Sequence, residues 1–106
     1  MKKLSSSGKC LCGGVSFNTK GYHRDISNCH CIQCMKTHGN FAAYTNIKDK
    51  FLLFKSKKTL KWFNSSKKAK RGFCNKCGAS IFFKFKNSKT TSISAGMFSK
   101  SLKLKS

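Results

Sequence analysis

The chain has 106 residues, 39% of them hydrophobic, with ten phenylalanines and no proline. That is enough apolar material for a packed core, and it excludes a disordered coil, a metallothionein-like chain and a Pro-rich linker. Its 23 basic and 2 acidic residues give a formal charge of +21, which directs attention to polyanions and anionic small molecules as partners.

A chain of this length buries only about two-thirds of its unfolded surface, so one domain over residues 1–106 that gains from cross-links is expected. The N-terminal MKKLSSSGKC has two lysines but no apolar run behind them. A signal peptide needs such a run, and a membrane span needs about twenty apolar residues. The expectation is a soluble, cytoplasmic protein without a membrane partner.

In chain order, Val15 and Phe17 alternate with polar neighbours. One helical turn is expected after Cys31, from Gln33 to Lys36. Phe41 to Thr45, Phe51 to Lys55, and Leu60 to Phe63 read as strands bounded by Lys/Asn/Ser turns. Lys67 to Arg71 reads as a solvated loop. Ile81 to Phe85 and Thr91 to Ala95 are further strands, and Lys100 to Ser106 a frayed basic tail. Trp62 and the phenylalanines are assigned to the core. No segment sustains a helical apolar period over more than three turns, so the pattern predicts a mainly β fold of short antiparallel strands.

All seven cysteines fall in three groups: Cys10-Leu-Cys12, Cys29-His-Cys31-Ile-Gln-Cys34 and Cys74-Asn-Lys-Cys77-Gly78. In an extended segment residues i and i+2 share a face, so Cys-x-Cys presents two sulfurs to one ion. Cys-x-x-Cys does the same from a tight turn. Gly78 after the second thiol allows a positive φ, and Gly13 and Gly14 after Cys12 offer the same freedom. An odd count in a reducing compartment fits metal ligation better than disulfides. All-thiolate sites suit Zn²⁺ or an iron–sulfur cluster.

Seven ligands fill one four-coordinate site and leave three. The central group supplies three by itself, which makes the outer pairs the natural closed site, although spacing permits other partitions. Three protein ligands with an open position is the catalytic pattern. Three thiolates around Zn²⁺ carry a net charge near −1, a poor activator of water and a better host for an external thiol.

The ordered motifs GKCLCGGVSF, CHCIQCMKTHG, RGFCNKCGASIFF and SAGMF resemble the glutathione-dependent formaldehyde-activating enzyme family, which also includes centromere protein V. The resemblance runs from Gly8 to Phe98. It implies a β-tent of small antiparallel sheets cross-linked by zinc–cysteine knuckles, with two zinc ions per chain. By position, Cys10, Cys12, Cys74 and Cys77 would bind a structural zinc, and Cys29, Cys31 and Cys34 a catalytic one. The implied activity is that of a carbon–sulfur lyase, joining or cleaving glutathione and formaldehyde as S-hydroxymethylglutathione. Met35 stands where the family usually carries a basic residue, and Lys36 keeps the next one.

Beside the open site, Lys36 is a candidate for recruiting an anionic thiol substrate, and His38 a candidate proton shuttle. His30 lies between two ligands and, on an extended segment, faces away from the metal, so packing is expected of it. Arg71, Gly72 and Phe73 read as structural. The alternative, from another class, is a non-enzymatic zinc module that binds nucleic acid through its charge. It is less favoured because the lysines spread along the whole chain rather than forming one stripe.

Overall fold

A computed structural model describes residues 2–100 and 102–104. Among these residues nine strands build two antiparallel sheets. The smaller sheet is ordered β1-β2-β5, from β1 (Lys2–Lys9), β2 (Val15–His23) and β5 (Leu52–Lys57). The larger is ordered β3-β4-β9-β8-β7-β6. Its strands are β3 (Ser27–Cys29), β4 (Ala42–Lys48), β6 (Leu60–Phe63), β7 (Ala69–Cys74), β8 (Ser80–Phe85) and β9 (Thr90–Ser94). One helix, α1 (Ile32–His38), bridges β3 and β4. The fold is mainly β with small antiparallel sheets, as expected. Among the described residues no helix is long and apolar enough to cross a membrane.

β2 has the clearest pattern: Val15, Phe17, Thr19, Gly21 and His23 are buried, and the residues between them face outward. This face meets one face of the larger sheet, and the two enclose Phe17, Ile47, Ile81, Phe82, Ile93 and Phe98. Phe17 lies with ring centroids 5.6 Å from Phe82 and 5.7 Å from Phe98. Gly8 on β1 permits this closeness, since a Cβ there would sit 2.7 Å from the Phe17 ring and 2.9 Å from the Met97 carbonyl.

The larger sheet is covered on both sides, so β4 and β9 do not alternate cleanly. Tyr44 and Ala42 face α1 and form a second cluster with Cys34, while Ile47 and Thr45 are buried with the main core. Among the described residues one ion pair is present, Lys84 with Asp49. Thr91 also donates its hydroxyl to Asp49 at 2.6 Å, and Lys84 donates to the carbonyls of Ser88 and Thr90 at 2.8 and 3.1 Å.

Several local expectations are corrected. The helix is longer than the single turn predicted and ends at Gly39, whose φ is +92°. Phe41 lies outside β4 and stacks on His30 at 5.1 Å. Phe51 belongs to a short 3-10 turn, Asp49–Phe51, before β5. The predicted loop at Lys67 to Arg71 contains the start of β7, with Ala69 and Arg71 buried. Trp62, Phe63 and Phe85 are not core residues; they are 38%, 57% and 57% exposed. Trp62 stacks on Phe82 from edge strand β6, with Lys70 Nζ 4.3 Å over its ring. In the tail, Leu102 packs against the main core, so that part is not frayed. Ser101, Lys105 and Ser106 lie outside the described residues.

Candidate metal centres

The cysteines gather into two groups, each with all its sulfurs within 4.8 Å of one another. Cys10 and Cys12 sit in the turn between β1 and β2. Cys74 ends β7, and Cys77 lies in the turn to β8. In this first group Cys10 Sγ is 3.7 Å from Cys12 Sγ, and Cys12 Sγ is 3.5 Å from Cys74 Sγ. Four sulfurs at about 2.3 Å around a tetrahedral ion are separated by about 3.8 Å, so the group fits a metal without rearrangement. All seven thiols are free of disulfides.

Backbone amides converge on these sulfurs. Val15 N donates to Cys10, Gly14 N to Cys12, and Lys76 N and Cys77 N to Cys74, all at 3.3 to 3.4 Å. Gly78, with φ +80°, closes the second turn by donating to the Cys74 carbonyl at 2.9 Å. Thr59, which the sequence reading missed, adds its hydroxyl 3.1 Å from Cys74 Sγ. The Cys77 amide, the Thr59 hydroxyl and other donors bring the Cys74 thiol down to about 5, so it is poised as a thiolate. At Cys12 the Gly14 amide pulls down, but burial and the neighbouring thiols win and push it up to about 11. Cys10 and Cys74 are buried, Cys77 is intermediate and Cys12 is exposed. Four sulfurs fill a tetrahedron, which makes this the closed group.

The second group is built differently. Cys29 ends β3, Cys31 caps the N-terminus of α1, and Cys34 lies within the helix. Exposure is graded: Cys34 buried, Cys29 intermediate, Cys31 exposed. The Cys34 amide donates to Cys31 Sγ at 3.4 Å, and with the neighbouring thiols it lowers Cys31 to about 7. Burial pushes Cys34 up to about 11, against the opposing pull of Arg71. Three thiolates with one exposed member leave one side of a tetrahedron uncovered. Among the described residues, no His, Asp or Glu completes either group.

The cysteines gather in the two groups expected from the sequence, and each could hold a metal ion. The family model described as glutathione-dependent formaldehyde-activating enzyme matches residues 5–106. The chain belongs to this family. A crystal structure of a Rhodobacter sphaeroides protein, a structural genomics target, shares its fold with a TM-score of 0.74. The two are 19% identical, over 88% of this chain and 87% of that one. No curated protein matches at the sequence level. Family membership supports a function in formaldehyde activation linked to glutathione.

Around the three-cysteine set, the other predicted residues take distinct places. His38 ends α1, half-buried, with Nε2 2.9 Å from the Tyr44 hydroxyl. Arg71 donates to that hydroxyl at 3.1 Å, which frees the Tyr44 proton for His38 Nε2. Burial, followed by the Arg71 charge, lowers the His38 pKa, so its imidazole is neutral near pH 7. Lys36 is exposed on the outer face of α1, where Ile32, Met35, Lys36 and Gly39 line an open hollow of about 570 Å³. His30 is exposed and stacked on Phe41, the packing role expected of it. Arg71, read from sequence as merely structural, instead reaches the second centre: its Nη2 lies 3.5 Å from Cys34 Sγ.

Proposed function

We propose that this protein is a zinc-dependent carbon–sulfur lyase-type enzyme acting on a glutathione-like thiol adduct of formaldehyde or a related carbonyl. The observation that carries the reading is a cluster of three cysteines, Cys29, Cys31 and Cys34, with no fourth ligand among the described residues, in a chain of this family. Zinc held by Cys29, Cys31 and Cys34 would supply an open position with soft neighbours, suited to a thiol bound as thiolate. In the forward direction the sulfur forms a bond to the carbonyl carbon, and the thiol proton ends on the carbonyl oxygen. Reversal breaks that bond and returns the proton.

His38 is the candidate proton carrier. A neutral imidazole whose Nε2 accepts from Tyr44 carries its own proton on Nδ1, and that is the proton it can give to the carbonyl oxygen. Lys36 offers a cation to the carboxylates of a glutathione-like thiol. Cys10, Cys12, Cys74 and Cys77 would hold a second, structural zinc. The reading is tested by metal-dependent turnover of hydroxymethyl thiol adducts, and turnover unchanged in Cys31→Ser would sink it.

A second reading, a zinc module that binds nucleic acid, is favoured by one observation. Of the two acidic residues set against 23 basic ones, Asp49 is already engaged by Lys84. It predicts tight DNA or RNA binding with a steep salt slope and no thiol at the second centre.

A further inference from the structure

Arg71 is the most buried cation among the described residues, at 6% exposure, and it sits on β7 beneath α1. A buried guanidinium is costly unless its N–H groups are bonded and its charge is balanced. The first condition is met in full. Nε and Nη2 donate to Gln33 Oε1 at 3.4 Å, and Nη1 donates to Thr37 Oγ1 at 3.3 Å and to the Tyr44 hydroxyl at 3.1 Å. Nη2 also donates to Cys34 Sγ at 3.5 Å. Those five contacts match the five N–H bonds of the group. Phe83 backs it, with the guanidinium carbon 4.9 Å from the ring centre.

The second condition is not met by any carboxylate among the described residues. Asp49 is engaged by Lys84, and Asp25 is exposed in the loop after β2. Every partner of Arg71 is neutral as it stands, and the Cys34 sulfur is the one among them that a bound metal would turn into an anion by displacing its proton. Its counter-charge is therefore the three-cysteine cluster, and the cluster's counter-charge is Arg71.

We propose that Arg71 is the resident counter-ion of the three-cysteine centre, a positioning residue that fixes Cys34 and lets the centre accept an anionic fourth ligand. Three thiolates about a divalent ion carry −1, and Arg71 brings the assembly to zero. An incoming thiolate then makes −1 instead of −2. A guanidinium held flat by Gln33, Thr37 and Phe83 keeps this compensation at a fixed place, which a mobile surface lysine does not.

This inference rests on the thiol-binding reading above, and the experiment separates the two. Full-length protein with Zn²⁺ in the closed centre is loaded with Co²⁺ at the second. Its sulfur-to-cobalt charge-transfer band is recorded for wild type, Arg71→Gln and Arg71→Lys. Each is then titrated with 2-mercaptoethanol, an anionic ligand once bound, and with imidazole, a neutral one. Arg71→Gln is expected to move the band to lower energy and to lower the thiol-to-imidazole affinity ratio about tenfold or more. Arg71→Lys keeps the charge and is expected to hold the ratio within about threefold of wild type.

An unchanged band and ratio in Arg71→Gln overturns the role of Arg71. Should Arg71→Gln fail to fill the closed centre, and so fail to fold, Arg71→Lys decides. A ratio that collapses despite the retained charge overturns the proposal. If wild type binds no thiol yet the band shifts in Arg71→Gln, the counter-ion role stands and the lyase reading falls.

Discussion

The two cysteine centres differ less in their ligands than in what surrounds them. At the closed centre the sulfurs receive neutral donors, four amides and the Thr59 hydroxyl, and join the turn after β1 to the end of β7. Cys10 and Cys74 belong to the main core, so metal binding there would be coupled to core formation. At the three-cysteine centre the ligands span six residues of sequence on β3 and α1, and the surroundings include a buried cation. It hangs on the outer face of the larger sheet, away from the main core. One centre ties distant elements together, and the other lies beside a buried cation with one side open. The proposed division of labour gives stability to the first arrangement and chemistry to the second.

The largest expected effect comes from breaking the closed centre. Cys74→Ser should cost most of the folding free energy, since structural zinc sites of this kind contribute on the order of 10 kcal/mol. Circular dichroism and zinc content read it: the variant should be unfolded or molten, with both metals lost. A folded Cys74→Ser protein retaining one zinc would erase the proposed division of labour.

Next comes Cys31→Ser, at the exposed corner of the other centre. Here the fold and the first zinc should remain, the melting temperature should move by only a few degrees, and turnover should fall by about a hundredfold or more. Equal loss of stability in the two variants would mean that both centres are structural.

Why was one half of this contrast readable from the sequence and the other not? Ligand spacing is local. Cys-x-Cys and Cys-x-x-Cys carry their geometry within a turn, and the three groups are legible without tertiary knowledge. Hydrophobic alternation likewise exposes β2, and aromatic or β-branched runs mark β8 and β9. The strands it misses are those whose pairing is not driven by apolar side chains. β1, KKLSSSGK, is an edge strand held by backbone pairing to β2, with Gly8 as its one fully buried position. β7 hides because Arg71 counts as polar in any pattern, although Phe83 and the cysteine cluster make its burial favourable. Thr59 is 15 residues from Cys74, and the β6–β7 register that sets Leu60 opposite Cys74 is what brings it to the sulfur. Such contacts are properties of the assembled sheet.

Thr59 also sharpens the contrast at smaller cost. Thr59→Val keeps the shape and removes the hydroxyl from Cys74. Metal affinity at the closed centre should weaken about tenfold, measured by competition with a chelator, while the open centre keeps its affinity. A change at the open centre instead would mean that the two are coupled through the sheet.

The smallest effect separates folding from metal loss in acid. His23 is wholly buried at the end of β2, donating from Nδ1 to the Gly21 carbonyl at 2.9 Å and accepting at Nε2 from Thr19 at 2.8 Å. Burial lowers its pKa below the ordinary 6.5, against the opposing pull of the Gly21 carbonyl. Above that ordinary value the imidazole is neutral in both folded and unfolded chains, and it adds no pH dependence. As the pH falls through 6.5 the unfolded chain takes up a proton that the native chain refuses, so stability declines until the folded value is passed. Neither centre uses this residue. His23→Gln should therefore remove part of the acid loss, roughly a few degrees of melting temperature between pH 7 and 5, while zinc release follows the same pH course as wild type. Matching melting curves in the two proteins at every pH would assign all the acid sensitivity to the thiolates.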